Sequence, residues 1–254
     1  MRCTGKHEVQ LYHDNPRTLA ESVSPFLMEG LIAGNGVLVV ATPQHSSAFL
    51  QELARLGADT ATAVGEGRLL VLDAVKTLSR FNFGGGPHFD LFDSEIGTTL
   101  RDLATRFPGP VYAYGEMVGV LWAEGSFTTA MTVEEYWNKL LTTVHCHLLC
   151  AYPIDVFGRA FHPCDVDALL CNHTRFRPAA RNEDLESAVH RALGDVLGTR
   201  AEHVKLQLNE EASPAWADTL KAESLILWIR QNLRERADEV LGRAHQYYYA
   251  ASSK

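Results

Sequence analysis

Glu116 stands where a short run of β-branched and aromatic residues, Val111 to Tyr114, breaks at Gly115 and hands over to helical spacing through Met117, Leu121 and Glu124. A carboxylate at such a junction has two chemistries. At the carboxyl edge of an open α/β sheet it faces a ligand. At a helix N-terminus it answers the macrodipole as a cap. Tyr114 and Trp122 flank it and offer aromatic walls. Other apolar runs also end in polar residues. Val37–Ala41 leads to Thr42 and His45, Leu69–Leu72 ends at Asp73, and Leu148–Ala151 ends at Tyr152 and Pro153. Asp73 could equally cap the helix after it, and the Tyr152 hydroxyl could simply satisfy a neighbouring carbonyl. Four run ends of this kind predict a small-molecule pocket lined by Thr42, His45, Asp73, Glu116 and Tyr152, with Tyr114 beside it. Phe81 and Phe83 precede Gly84-Gly85-Gly86-Pro87, a stretch that cannot hold one regular element, and are expected to form a mobile aromatic lid.

A second constellation is denser. His145, Cys146, His147, Cys150, His162, Cys164, Cys171 and His173 fall close together, and four of the five cysteines are among them. Thiolates and imidazoles ligate zinc, haem and iron–sulfur clusters. The spacing is not a paired C-x-x-C, however, and Cys150 lies in an apolar run where cysteine behaves as a small hydrophobe. Strand alternation sets His145 and His147 on the face opposite Cys146, so these three cannot chelate one ion from a regular strand. A metal or haem site, a thiol switch and plain packing therefore stay open. The candidate ligands are His145, His147, Cys150, His162, Cys164, Cys171 and His173, and no cofactor can be named.

The elements that must position these groups alternate along the chain. His7–Tyr12 alternates, with Val9 and Leu11 on one face, and predicts a strand. Helical spacing follows through Leu19, Val23, Phe26, Leu27 and Leu31. Val37–Ala41 reads as a strand buried on both faces, and Phe49, Leu50, Leu53 and Leu56 then mark a helix stopped by Gly57. Leu69–Asp73 is the next strand, Phe89 to Phe107 carries a helical stripe, Glu134–Leu141 is a helix, and Leu148–Pro153 a last strand. This alternation predicts an α/β fold with a mostly parallel sheet and helices on both faces.

Composition removes several classes. A net charge of -8 leaves no bulk basic footprint for nucleic acid. No apolar run approaches the ~20 residues that span a membrane, and no apolar signal core stands at the N-terminus. The five cysteines are not a secreted framework, so a reducing cytoplasm is the expected compartment. A phosphate loop should read G-x-x-x-x-G-K-[ST] after the Val37–Ala41 strand. The chain has Ala41-Thr42-Pro43-Gln44-His45-Ser46-Ser47 there, without glycine or lysine, which argues against a nucleoside triphosphatase.

Tyr114-Gly115-Glu116-Met117-Val118, Leu121-Trp122-Ala123-Glu124-Gly125, Glu134-Glu135-Tyr136-Trp137-Asn138 and Leu148–Pro153 together resemble the MEDS family, the sensory domain named for methanogens, methylotrophs and a dichloromethane-responsive regulator. His7 to Tyr12, Ala41-Thr42-Pro43 with His45, Leu70 to Ala74 with Leu78 and Phe81, and Cys171 with His173 also fit. The resemblance covers about residues 5 to 177. It implies a RecA/KaiC-like fold with a decayed phosphate loop, no catalysis, and a role in signal transduction or transcriptional regulation through binding a small organic molecule, hydrocarbon derivatives being the class suggested for the family. The chain departs from it in Val144-His145-Cys146-His147, and in a C-terminal part without a phospho-acceptor histidine motif, ATP-binding glycine boxes or a basic recognition helix. The alternatives are a metal, haem or redox sensor built on residues 145–173, or an ATPase-like protein using Glu116 and Asp73.

Residues 1–177 are thus expected to be the sensory domain and 178–254 a helical extension. Leu185, Val189, Leu193 and Leu197 predict one amphipathic helix. Ser213-Pro214 is a good helix start, and a continuous helix is expected from about Pro214 to Ala244. Its apolar residues, Trp216, Leu220, Leu225, Ile226, Leu227, Ile229, Val240 and Leu241, form a stripe wider than one core needs, which predicts a homodimer or the docking of a signalling partner.

Overall fold

The computed structural model describes residues 5–12, 16–159, 161–201 and 219–252. The chain falls into two compact units. The first takes 1–153 with 169–175, the second 154–168 with 176–254.

A six-stranded sheet forms the first unit's centre. Its strands are β1 (His7–Tyr12), β2 (Val37–Ala41), β3 (Leu69–Asp73), β6 (Val111–Gly115), β7 (Cys146–Pro153) and the short β8 (Arg175–Phe176), in the order β3-β2-β6-β7-β1-β8. The pairs β2–β3, β2–β6, β6–β7 and β1–β7 are all parallel. A two-residue hairpin, β4 (Asn82–Phe83) with β5 (Gly86–Pro87), stands apart. The Val-rich β2 is buried at every position, as expected for a strand covered on both faces. β1 alternates in sequence but not in burial, for His7, Glu8 and Gln10 are as buried as Val9 and Leu11. β1 is an inner strand between β7 and β8, and its buried His7 and Glu8 find partners inside, His7 with Asn138 and Glu134 and Glu8 with Arg175.

One face of the sheet packs α1 (Pro16–Ile32) and α2 (Pro43–Arg55) around Phe26, Leu27, Phe49 and Leu53, together with Val37, Val39 and Tyr114. α4 (Ala74–Phe81), α7 (Met117–Ala123) and α8 (Phe127–Leu141) also lie in this unit. α8 begins seven residues before the expected start at Glu134. Its buried stripe runs Ala130, Val133, Glu134, Trp137, Leu140 and Leu141. α7 approaches β7 closely at Gly119, where an added Cβ would stand 2.4 Å from the Ala151 carbonyl oxygen.

The second unit is helical. Asn182–Leu197 forms the expected amphipathic helix and ends at Gly198. The long C-terminal helix is instead two, Lys221–Asn232 and Ala237–Ser252, parted by a 3-10 turn at Arg234–Arg236. Arg234 takes a left-handed φ of 28° there. Residues 234–236 are all exposed, so no buried side chain holds that stretch in register with the turns around it. The expected start at Ser213 and Pro214, and Trp216, lie outside the described residues. Leu220, Leu225, Ile226, Leu227, Ile229, Val240 and Leu241 are all buried. The described part of the wide stripe is therefore consumed inside the chain, and among these residues it leaves no exposed patch of the kind on which the expected dimer or partner docking rests. No helix among the described residues is long and apolar enough to cross a membrane.

Candidate functional site

Two polar clusters occupy opposite faces of the sheet. The first is at the carboxyl edge. Glu116 sits at the start of α7 yet makes no cap bond to it. Its carboxylate turns instead to the start of α2, where the Thr42 amide donates to Oε2 at 2.8 Å and His45 Nδ1 lies 2.5 Å from Oε1. The Thr42 hydroxyl caps α2 by accepting from the His45 amide. An anion at a helix N-terminus is favoured by the amides and the dipole. Here the protein's own Glu116 fills that role at the start of α2. The His45 ring lies between Phe49, stacked at 6.2 Å, and Tyr12, edge-on at 6.0 Å. Burial, and then Glu116, push the Tyr12 hydroxyl pKa far up.

Tyr114 shares that face. Its ring packs edge-on against Phe49 at 4.9 Å, and burial, then Glu116, raise its pKa well above normal. Among the described residues its buried hydroxyl has no hydrogen-bond partner, and neither does either amide atom of Gln10. The strand register carries Gln10, Tyr12 and Tyr114 on the same side of the sheet. Buried polar atoms are nearly always bonded, so each of these atoms wants a polar partner.

The second cluster lies on the other face and is wholly buried. His7 comes from β1, Glu134 from α8, Cys150 from β7 and His173 from the segment after α9 (Pro163–Asn172). Each offers a donor atom within 4.8 Å of the others. His7 Nε2 is 3.2 Å from Glu134 Oε2 and 3.5 Å from Cys150 Sγ. His173 Nε2 is 3.2 Å from Glu134 Oε1, yet it lacks hydrogen-bond alignment to any partner. The Tyr152 hydroxyl donates to Glu134 Oε1. Thr174 ties the two histidine segments together, since its amide and hydroxyl both donate to the His7 carbonyl at 2.7 Å.

Burial is the largest influence on the Glu134 carboxyl and pushes it upward, but the adjacent His173 and His7 together outweigh it and hold the group below the ordinary carboxylate range. For His173 burial pulls downward, and Glu134 outweighs it. Burial, with Glu134 adding to it, drives the Cys150 thiol and the Tyr152 phenol well up.

Against the expected pocket, Thr42, His45 and Glu116 do meet, and Tyr114 packs beside them. The others go elsewhere. Asp73 accepts from the Val75 and Lys76 amides and caps α4. Phe81 is fully buried against Phe92, so it is core and not a lid. Phe83 is 52% exposed on the hairpin beside His88. Tyr152 points to the opposite face. Of the expected metal ligands only Cys150 and His173 converge. His145 is exposed and His147 half-buried, their rings 5.8 Å apart on the other face. Cys164 and Cys171 are exposed. His162 lines a cavity of about 540 Å³ in the helical unit, together with Arg159, Phe161, Leu227, Arg230 and Arg234. His7 and Glu134 had no place among the expected ligands. Glu134 was detectable, because it falls on the apolar stripe of α8 where a carboxylate needs a partner.

The family model for MEDS, the MEthanogen/methylotroph, DcmR Sensory domain, matches residues 6–174. The chain belongs to that sensory-domain family, and both clusters lie inside the matched span. No curated protein is significantly similar to it in sequence. Among solved structures, that of C. elegans PCH-2 is 11% identical, aligned over 95% of this chain and 71% of its own, with a TM-score of 0.25, a likeness too slight to define a shared fold.

Proposed function

We propose that this protein is a non-catalytic sensor that binds a small organic molecule at the carboxyl edge of the sheet, around Thr42, His45, Glu116, Tyr12 and Tyr114. The observation that carries the reading is the set of buried polar atoms without partners, the Tyr114 hydroxyl and the Gln10 amide, on the face that bears the His45–Glu116 pair. A ligand with one or two hydrogen-bonding groups would satisfy them, and the rings of Tyr12, Phe49 and Tyr114 would hold an apolar remainder. Short oxygen-, nitrogen- or halogen-bearing hydrocarbon derivatives have that character. A RecA/KaiC-like ancestry with a decayed phosphate loop is compatible with the parallel sheet, and the Glu116 carboxylate at α2 opposes a triphosphate there. In this reading residues 1–177 sense and the helical part after 178 passes occupancy to a signalling partner or a second copy, in the cytoplasm.

Thermal-shift titration of the full chain tests it, with short alcohols, amines, carboxylates and halogenated one-carbon compounds, and with ATP and magnesium. A ligand present at 100 times its Kd stabilises by about 2.7 kcal/mol. The expected result is stabilisation by one compound class, lost in His45→Ala, with ATP inert. Magnesium-dependent ATP stabilisation with turnover would replace the sensor by an ATPase.

A further inference from the structure

We infer that His7, Glu134, Cys150 and His173 are a four-donor site for a divalent first-row transition metal, zinc above all. The site is separate from the carboxyl-edge cluster and does not depend on the ligand-sensing reading.

The spacing among His7, Glu134 and Cys150 is that of one face of a tetrahedral site, with a His173 ring nitrogen within 4.8 Å of these donors. With metal bonds of about 2.0 Å to nitrogen or oxygen and about 2.3 Å to sulfur, the edges of a tetrahedral zinc site run about 3.3 to 3.6 Å. The donor atoms stand 3.2 Å apart for His7 Nε2 and Glu134 Oε2, 3.5 Å for His7 Nε2 and Cys150 Sγ, and 3.7 Å for Cys150 Sγ and Glu134 Oε2. These four residues are the one group of histidine, cysteine and carboxylate among the described residues whose donors converge in this way.

The surroundings orient both imidazoles. His173 Nδ1 lies 2.6 Å from the Leu169 carbonyl oxygen, an acceptor only, so Nδ1 carries a proton and Nε2 is the nitrogen turned toward the other donors. His7 Nδ1 lies 2.9 Å from Asn138 Oδ1. The Asn138 amide nitrogen donates to the Asn172 carbonyl at 3.1 Å, which fixes Oδ1 as the atom facing His7. Both histidines thus have the tautomer a ligand needs, set by a carbonyl behind the ring, as metal-bound histidines have. His173 Nε2 is fully buried and faces the other donors, 3.2 Å from Glu134 Oε1.

Charge also balances. Zinc with the Glu134 carboxylate and a Cys150 thiolate sums to zero, so the buried site carries no net charge; the thiol proton leaves to solvent as the metal binds. The mixed nitrogen, oxygen and sulfur set suits zinc better than magnesium or calcium, which take oxygen. Haem takes ligands across a planar ring, and four donors within 4.8 Å of one another leave no place for one. The metal would join β1 to α8, β7 and the segment after α9, which lie more than a hundred residues further along the chain.

The test uses the full chain. Its metal content is measured as purified, and again after unfolding in chelator and refolding with zinc or cobalt(II) alone. One equivalent per chain is expected, with a higher Tm than the metal-free protein, and the cobalt form should show tetrahedral ligand-field bands and a thiolate charge-transfer band. Cys150→Ser should lose that band, while Cys164→Ser keeps it. Asn138→Ala leaves all four donors in place and should weaken cobalt binding about 10- to 100-fold, so it carries the test should the Cys150 variant fail to fold. Refolded protein that takes up no stoichiometric metal, or a thiolate band that survives in Cys150→Ser, would overturn the assignment.

Discussion

Side chains of one type have opposite fates in this chain, and burial decides which. Cys146 and Cys150 are buried, and burial raises both thiols. Cys164 and Cys171 are exposed. A thiol reacts through its thiolate, so mass-mapped iodoacetamide labelling of the native protein should modify Cys164 and Cys171 and reach Cys146 and Cys150 only after unfolding. Native labelling of Cys150 would contradict its place in the core. Glu223 makes the same point for a carboxyl. It is 1% exposed, and burial pushes its pKa up to about 7 from 4.5, with Glu186 adding to the push. Because the folded-state pKa is the higher one, the folded protein holds this proton longer than the unfolded chain. The stability penalty is absent below about pH 4.5, grows as pH rises, and is complete above about 7, where it amounts to about 3 kcal/mol. Glu223→Gln should flatten that part of the stability curve and raise stability at pH 8, as read by urea unfolding across pH. An unchanged slope would show that Glu223 titrates normally.

At the scale of elements, the sheet was legible and the metal cluster only half so. Runs such as Val37–Ala41 have one interpretation, and the five longer strands stand where periodicity puts them, while the two-residue strands β4, β5 and β8 are too short to leave a period. The ligand set was sought where histidine and cysteine are dense, but a site closed by β1 and α8 is assembled by topology, which local spacing does not encode. Glu134 left a trace in its helical phase, and His7 in sharing a strand face with Val9 and Leu11. The break at Arg234 left none, because neither glycine nor proline marks it. Element packing yields its own prediction. The Gly119 Cα faces the Ala151 carbonyl, a backbone group that cannot swing aside, so Gly119→Ala should push α7 off β7. A loss of about 1–3 kcal/mol is expected in chemical denaturation. Wild-type stability would show that α7 is free to shift.

The whole molecule is a MEDS sensory domain, which holds both polar clusters, and a helical unit. Its apolar stripe is spent within the chain, so an output partner would have to engage residues other than Leu225, Ile226 and Leu227. In the proposed function, occupancy of the carboxyl edge is what the protein senses. Hydrogen–deuterium exchange of the full chain, with and without the compound giving the largest thermal shift, tests it most directly. Slowed exchange is expected in residues 7–12, 37–46 and 111–118, accompanied by a change in the helices Asn182–Leu197 or Lys221–Asn232. Unchanged exchange at that edge, with protection confined to the cavity around Arg159, Arg230 and Arg234, would contradict it.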